Sequence, residues 1–188
     1  MVADCFALLQ VPRMILLDER VLKDRFHLMM AAKEAAPETL NEAYALLKVP
    51  ARRIAHLLTL HGRTPVTGEQ PEAGLFDLFF DVSTVLKKAD ELIANIGAAS
   101  SAVQRAALTE AVLASLQNLE STVDLVNASE ARHLDNLREI DLSFPELDEA
   151  QWKRLAEIGG DLVFLTKWKQ EVGKRLTRMQ EAIMGLLS

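Results

Sequence analysis

The sequence has one cysteine, few aromatic residues and no long apolar run, and each shortage excludes a class of protein. The single Cys5 allows neither an intrachain disulfide nor a cysteine-clustered zinc site, which fits a reducing compartment. Aromatic residues make up only 5% of the chain. No apolar run approaches the roughly 20 residues of a membrane-spanning helix. Because the N-terminus lacks the basic segment of a signal peptide, we expect a soluble, cytoplasmic protein without membrane contact.

Positive charge is also in short supply. The chain carries 21 Lys and Arg against 27 Asp and Glu, a net charge of −6, so nucleic acid is not the expected partner. Residues 1–66 carry 9 basic and 7 acidic side chains (+2), and the remainder carries 12 and 20 (−8). A near-neutral front and an acidic back indicate two domains with different surfaces.

No set of side chains has the spacing of a catalytic or metal site. The four histidines have no cysteine or carboxylate beside them at a ligand spacing, so we expect no enzyme activity, metal or cofactor. The histidines are His27, His56, His61 and His133.

Two charged clusters are predicted to be solvated. The acidic cluster flanks a turn and a helix start, where the helix dipole favours negative charge. Its members are Asp141, Glu146, Asp148 and Glu149. Arg52 and Arg53 are expected to be surface charge in the same way.

The apolar residues, 49% of the chain with tyrosine and cysteine included, are mostly Leu, Ala and Val, which favours an all-α fold. Near the N-terminus we predict a helical hairpin. Asp18 caps its first helix, which ends near Glu34 because Pro37 cannot continue the hydrogen-bond ladder. Thr39 opens its second helix in a capping-box spacing. A third helix ends at Gly62, a typical C-terminal cap.

The rest of the chain is predicted to form a three-helix bundle. Residues 1–62 form the first domain, the Gly- and Pro-rich residues 63–73 a linker, and residues 74–188 the second domain. Apolar stripes predict helices over about 74–96, 101–140 and 148–185. The middle helix is either continuous or broken near Asn127, and Gly159 and Gly160 are candidate kink positions in the last one.

Several motifs of the N-terminal part occur in an order that resembles the J-domain of HscB-type co-chaperones of iron–sulfur cluster assembly. They are Asp4–Pro12 (DCFALLQVP), Leu17–Asp18, Arg25–Phe26, Asn41–Leu47 (NEAYALL) and Arg53–Gly62 (RIAHLLTLHG). Trp152 and the run from Leu162 to Lys167 extend the resemblance into the last helix. It implies a J-like hairpin domain followed by a C-terminal three-helix bundle.

One departure from that family is large. J-domains carry His-Pro-Asp between their second and third helices, and the matching positions here are Glu34, Ala35 and Ala36. Compared with the family, part of the loop and of the helix after it is also missing. We therefore expect the first helix of the hairpin to overhang the second by nearly two turns. The resemblance therefore implies a truncated J-like domain that does not stimulate a chaperone ATPase.

A basic helix face is the family's contact with its chaperone. Arg20, Lys23 and Arg25 are the side chains that would face a DnaK- or HscA-type chaperone here. The alternative is an ordinary mixed solvated helix, which Asp24 and Glu34 favour because they dilute the positive charge.

Three phenylalanines crowd into five residues at the start of the bundle. Phe76, Phe79 and Phe80 cannot all enter one narrow apolar stripe, so they either contact the J-like domain or remain exposed for a partner. In the family, positions near this helix start and one on the last helix bind the cluster scaffold. Those positions match Phe79, Phe80 and Phe164, while Glu91 keeps a family acid. Ser83 and Lys87 depart from the pattern.

The resemblance leaves three functional alternatives. The favoured one is a binding protein that engages an iron–sulfur scaffold or another client through its bundle without stimulating a chaperone ATPase. The second is a working co-chaperone with a non-standard chaperone contact. The third is a structural or regulatory helical protein that has lost both partners.

Overall fold

The computed structural model describes residues 3–33, 35–66, 75–99 and 101–187, and every regular element in those ranges is a helix, which confirms the all-α prediction. The helices are α1 Cys5–Leu8, α2 Glu19–Ala32, α3 Pro37–Lys48, α4 Pro50–Leu60, α5 Phe76–Ala98, α6 Ala102–Asp141 and α7 Glu149–Leu187. No helix in those ranges is long and apolar enough to cross a membrane.

The hairpin of α2 and α3 begins as the sequence predicts and turns differently. The Asp18 carboxylate accepts hydrogen bonds from the backbone N–H groups of Arg20 and Val21, which is an N-cap. The capping role predicted for Thr39 is wrong. Pro37 already occupies the first turn of α3, where its missing N–H has no cost, and Ala36 is the N-cap residue without a side-chain bond.

The overhang predicted for the first helix of the hairpin, α2, over the second, α3, is also wrong. α2 has 14 residues and α3 has 12, so their lengths of about 21 and 18 Å differ by less than one turn. α2 ends at Ala32 because Lys33 adopts the left-handed conformation with φ 56°, before the predicted end at Glu34. Glu34 itself lies outside the described residues. The predicted Ala35–Glu38 link is shorter at its far end, since Pro37 and Glu38 belong to α3.

The end of α4 confirms the cap predicted at Gly62. Gly62 has φ 69°, the Arg63 N–H donates to the Leu58 carbonyl at 2.8 Å, and the Gly62 N–H donates to the Thr59 carbonyl at 3.0 Å. This pair of bonds is the Schellman motif, which glycine favours because it lacks a Cβ.

The chain forms two compact units that are not continuous in sequence. Unit 1 contains Met1–Gln70 and Arg132–Val163, and unit 2 contains Pro71–Ala131 and Phe164–Ser188. Parts of α6 and α7 therefore belong to each unit. The predicted domains 1–62 and 74–188 follow chain order and stay a prediction, and residues 67–73 of the predicted linker lie outside the described residues.

Unit 1 has a dense apolar core. Its fully buried large side chains are Phe6, Leu9, Ile15, Leu22, Leu40, Leu47, Ile54, Leu57, Leu58, Leu137 and Leu155. α7 continues as one helix through Gly159, where the missing side chain permits close packing. A Cβ built on Gly159 would lie 2.8 Å from the Ile54 Cγ2 atom, so α7 approaches α4 too closely for a side chain there.

Unit 2 is built from α5, the first three quarters of α6 and the last part of α7. α6 continues without a break through Asn127. Its buried apolar positions Val112, Leu119 and Val126 recur every seven residues, which is the repeat of a coiled coil. Phe79 of α5 lies against Trp168 of α7, and the later residue Asp90 of α5 pairs with the later residue Arg175 of α7. α5 and α7 therefore run in the same direction.

Candidate functional site

The first candidate surface is the exposed aromatic end of α5. Only Val82 and Ala89 are buried in this helix of 23 residues. Phe80 lies on the side of the helix opposite both, because successive residues turn by about 100°. Phe76, Phe79 and Phe80 are 41%, 36% and 61% exposed, so the folded chain leaves large aromatic area in water at this end of unit 2.

The aromatic residues of α5 and α7 form one cluster, which we call the aromatic patch and which contains Phe76, Phe79, Phe80, Phe164 and Trp168. The Phe79 ring centroid lies 5.6 Å from that of Phe80 and 6.0 Å from that of Trp168. The Phe164 and Trp168 centroids are 5.9 Å apart. The structure therefore brings Phe79, Phe80 and Phe164 to one place, although whether a partner binds them stays a prediction.

Trp168 is the member of the patch that was not among the site residues predicted from the sequence. It is 6% exposed and lies between Phe79 of α5 and Phe164 of α7. Aromatic pairs at such distances stabilise each other beyond their buried area. Its place four residues after Phe164, one helical turn away, was the signal that linked it to the site.

Glu91 lies apart from the aromatic patch. It is on nearly the same exposed face of α5 as Phe80 but eleven residues further, which is about 16 Å along the axis. Its carboxylate is 4.0 Å from the Lys87 ammonium. It also lines a groove of about 550 Å³ between α5 and α6, whose apolar walls include Leu92 and Ala111.

The second candidate surface is the outer side of α2, where the structure divides the predicted basic residues. Arg20, Lys23 and Arg25 are all exposed. Arg20 and Lys23 lie within about 60° of each other on the helix, whereas Arg25 lies about 160° from Lys23. The exposed His27 shares the stripe of Arg20 and Lys23, so it is the third basic-type side chain on that face.

The positions that match His-Pro-Asp carry no functional side chain where they are described. Ala35 and Ala36 end in methyl groups, and Ala36 has extended backbone with φ −61° and ψ 135° before α3. Glu34 lies outside the described residues. Neither alanine can donate or accept a side-chain hydrogen bond.

Two charged residues predicted to be solvated are in fact structural, and both predictions are wrong. Arg53 is 5% exposed and donates from Nε to the Ile15 carbonyl at 2.9 Å and from Nη1 to the Leu47 carbonyl at 2.6 Å. The Asp141 carboxylate accepts from the N–H groups of Ile15 at 2.9 Å and Leu16 at 3.3 Å. Burial lowers the pKa of Arg53 to about 10, and Asp141 opposes that shift. These bonds hold the segment before α2 in place.

Two histidines of unit 1, His56 and His61, also have structural partners. His56 Nε2 accepts the Cys5 N–H at 3.1 Å, and the His61 ring lies 4.9 Å from Trp152 and 5.5 Å from Phe144. Burial lowers the pKa of both imidazoles. Within the described ranges no group of three or more His, Cys, Asp or Glu residues is arranged to hold a metal ion.

Comparison with known proteins supports the fold and goes no further. Neither a protein-family model nor a curated protein matches the sequence. Among solved structures, the chain resembles the chaperone HscB from Vibrio cholerae, with a TM-score of 0.56 and 18% sequence identity. The match covers 92% of this chain and 96% of that one. The protein therefore has a helical fold like that of HscB along most of its length.

Proposed function

We propose that this chain is an HscB-like, co-chaperone-type binding protein. It engages an iron–sulfur scaffold or another client protein through the aromatic patch of unit 2, and it does not stimulate a chaperone ATPase. The observation that carries the proposal is the convergence of Phe79, Phe80 and Phe164 through Trp168. These phenylalanines occupy the positions that the family resemblance implies for scaffold binding.

The chemistry of the patch favours a protein partner. Exposed aromatic side chains supply large contact area at low entropic cost, and they are common anchors at interface centres. Phe80, at 61% exposed, forgoes part of the burial energy that a partner would return. Lys87 and Glu91 further along α5 give the surface a polar margin of both signs.

The alanines at positions 35 and 36 support the second part of the proposal. In the J-domain family the His-Pro-Asp side chains act on the chaperone, and Ala35 and Ala36 provide neither an imidazole nor a carboxylate. The degenerate character of the domain is accordingly part of this proposal.

Binding to an iron–sulfur scaffold protein is the direct test. We expect purified scaffold to bind the wild-type chain in isothermal titration calorimetry, and Phe80→Ala and Phe164→Ala each to weaken binding by at least about tenfold. Val163→Ala, an exposed apolar residue next to Phe164, is the matched control and should bind normally. Equal binding by all four proteins would exclude the aromatic patch as the client site.

The ATPase test is independent of the client. We expect no increase in single-turnover ATP hydrolysis by a DnaK- or HscA-type chaperone when the chain is added. A several-fold increase that disappears on reversing Arg20 and Lys23 would instead establish the second candidate, a working co-chaperone that uses the exposed stripe of α2. If neither scaffold nor chaperone binds, the third alternative, a structural or regulatory helical protein, replaces both.

A further inference from the structure

The exposed face of α5 has charged residues on both sides of Phe80 along the helix. Asp77, Phe80, Thr84, Lys87 and Glu91 are separated by three, four, three and four residues, and all five lie on the outer side of the helix. Residues at this spacing lie along one line on a helix, and Phe80 is the one apolar residue among these five. α5 therefore has an exposed stripe formed by these five residues, which we call the seam, on the side opposite the buried Val82 and Ala89.

The charges along this seam favour one kind of helix partner. In a parallel pair of identical helices, Asp77 would face Asp77 and Lys87 would face Lys87 of the other copy, which is repulsive. In an antiparallel pair with its two-fold axis at the level of Val82, Asp77 of each copy faces Lys87 of the other. Phe80 then lies beside Thr84 of the second copy, and the two Phe80 rings lie about 6 Å apart along the axis.

We propose that the partner of this seam is a second copy of the same chain, bound through α5 in an antiparallel, two-fold symmetric dimer. Such an interface is isologous, because the same residues serve both copies. Phe80 is its apolar centre, and the two Asp77–Lys87 pairs specify the direction and the register. The intrachain contact of Lys87 with Glu91 is long at 4.0 Å and lies between exposed groups, so it competes weakly.

The dimer is expected to be weak. A stable interface buries about 800 Å² per partner, and one helix face with a single large apolar residue at its centre supplies less. Polar residues at seam positions also specify the pairing at a cost in stability. We therefore expect a dissociation constant of about 10 to 500 µM, so that the extent of self-association changes with protein concentration over this range.

Self-association would regulate the client site. This consequence rests on the proposed function, whereas the dimer itself does not. Phe80 belongs to both the seam and the aromatic patch, so a client and a second copy cannot occupy it together. A dimer would therefore keep the aromatic residues covered until a client displaces one copy.

Charge reversal tests the dimer. In sedimentation equilibrium over about 10 to 500 µM protein we expect the wild type to associate. Asp77→Lys alone and Lys87→Asp alone should each weaken association by at least about tenfold, because each places like charges together at both ends of the seam. An equimolar mixture of the two variants should recover it, since one variant then presents lysine at both seam positions and the other presents aspartate at both. Glu38→Lys, a charge reversal on α3, is the control and should behave like the wild type.

Two results would overturn the proposal. One is a wild-type chain that stays monomeric over the whole concentration range. The other is a mixture of the two variants that associates no better than either variant alone. Scaffold titrations on the same samples distinguish failure of the dimer proposal from failure of the proposed function. A chain that stays monomeric but still binds scaffold through Phe80 contradicts the dimer and leaves the proposed function standing. Circular dichroism of each variant at low concentration verifies that the exposed substitutions leave the helices intact.

Discussion

α4 and α5 show how differently the two units use their residues. In α4, six of 11 residues are buried, whereas in α5 only two of 23 are. A helix that buries half of its residues is held from several sides, and one that buries a narrow stripe leaves most of its surface to water. Of these two helices, α4 of unit 1 therefore contributes mainly to the core, and α5 of unit 2 mainly to the surface.

The two units also differ in what their charged side chains bind. In unit 1, Arg53 and Asp141 bind backbone groups of the segment before α2 from buried or half-buried positions. In unit 2, the half-buried Arg175 pairs with the carboxylates of the exposed Asp90 and the half-buried Glu171 and with no backbone group of the described residues, and such partly exposed ion pairs contribute less. The difference indicates that substitutions of buried charge should unfold unit 1, while substitutions on unit 2 should change binding more than stability.

The largest effect is expected for Arg53. Arg53→Ala leaves the carbonyls of Ile15 and Leu47 without their donor and removes the cation near Asp141. We expect it to lower the free energy of unfolding by about 3 kcal/mol or more. The neighbouring exposed Arg52→Ala is the matched control and should cost less than about 0.5 kcal/mol. Urea unfolding measures the free energy of unfolding of both variants. Equal unfolding midpoints would show that the buried Arg53 contributes no more to stability than the exposed Arg52.

Two glycines of α7 provide the next test. Gly159 belongs to unit 1, where a Cβ would lie 2.8 Å from Ile54 Cγ2, so Gly159→Ala should cost about 1–3 kcal/mol through overpacking. Gly173 belongs to unit 2 and has nothing within 4 Å of a built Cβ. Gly173→Ala should therefore stabilise by up to about 1 kcal/mol, because alanine is the better helix former. Thermal melts of the pair should shift in opposite directions, and shifts of the same sign would contradict this contrast.

Acidification should weaken unit 1. Burial lowers the pKa of His56 and His61 below their ordinary value of 6.5, so the unfolded chain takes up protons before the folded one. Stability is therefore complete above about pH 6.5 and declines as the pH falls below it. Melting temperatures between about pH 7.5 and 5.5 should fall, and His61→Phe should reduce the slope. A wild-type melting temperature that does not change over this range would show that the histidines do not couple to folding.

The smallest stability effect is expected for the aromatic patch. Phe80 is 61% exposed, so Phe80→Ala should lower the free energy of unfolding by about 0.5 kcal/mol or less. The melting temperature should therefore fall only slightly. Phe6, which is fully buried in unit 1, is the matched control, and Phe6→Ala should cost about 3–5 kcal/mol. A large loss in Phe80→Ala would make that residue structural and remove it from the proposed client site.

The elements that depend on local sequence were predicted well. Asp18, Gly62 and the apolar stripes specify helix ends and helix faces through neighbours within a few residues, and the structure confirms them. Thr39 was misjudged because Pro37 competes for the same helix start, and proline in the first turn prevailed. The overhang of α2 was misjudged because a left-handed residue at Lys33 ended the helix early.

The sequence by itself determined the helical class, most helix limits and the crowding of phenylalanines at the start of α5, because periodicity and capping act within one or two turns. The tertiary structure alone decided which residues meet across large separations. It buried Arg53, placed the Asp141 carboxylate on the amides of Ile15 and Leu16, and set Trp168 between Phe79 and Phe164. Such contacts depend on where the helices lie in space. Sequence periodicity describes neighbours within one helix, so it does not show that residues 15, 53 and 141 lie close together.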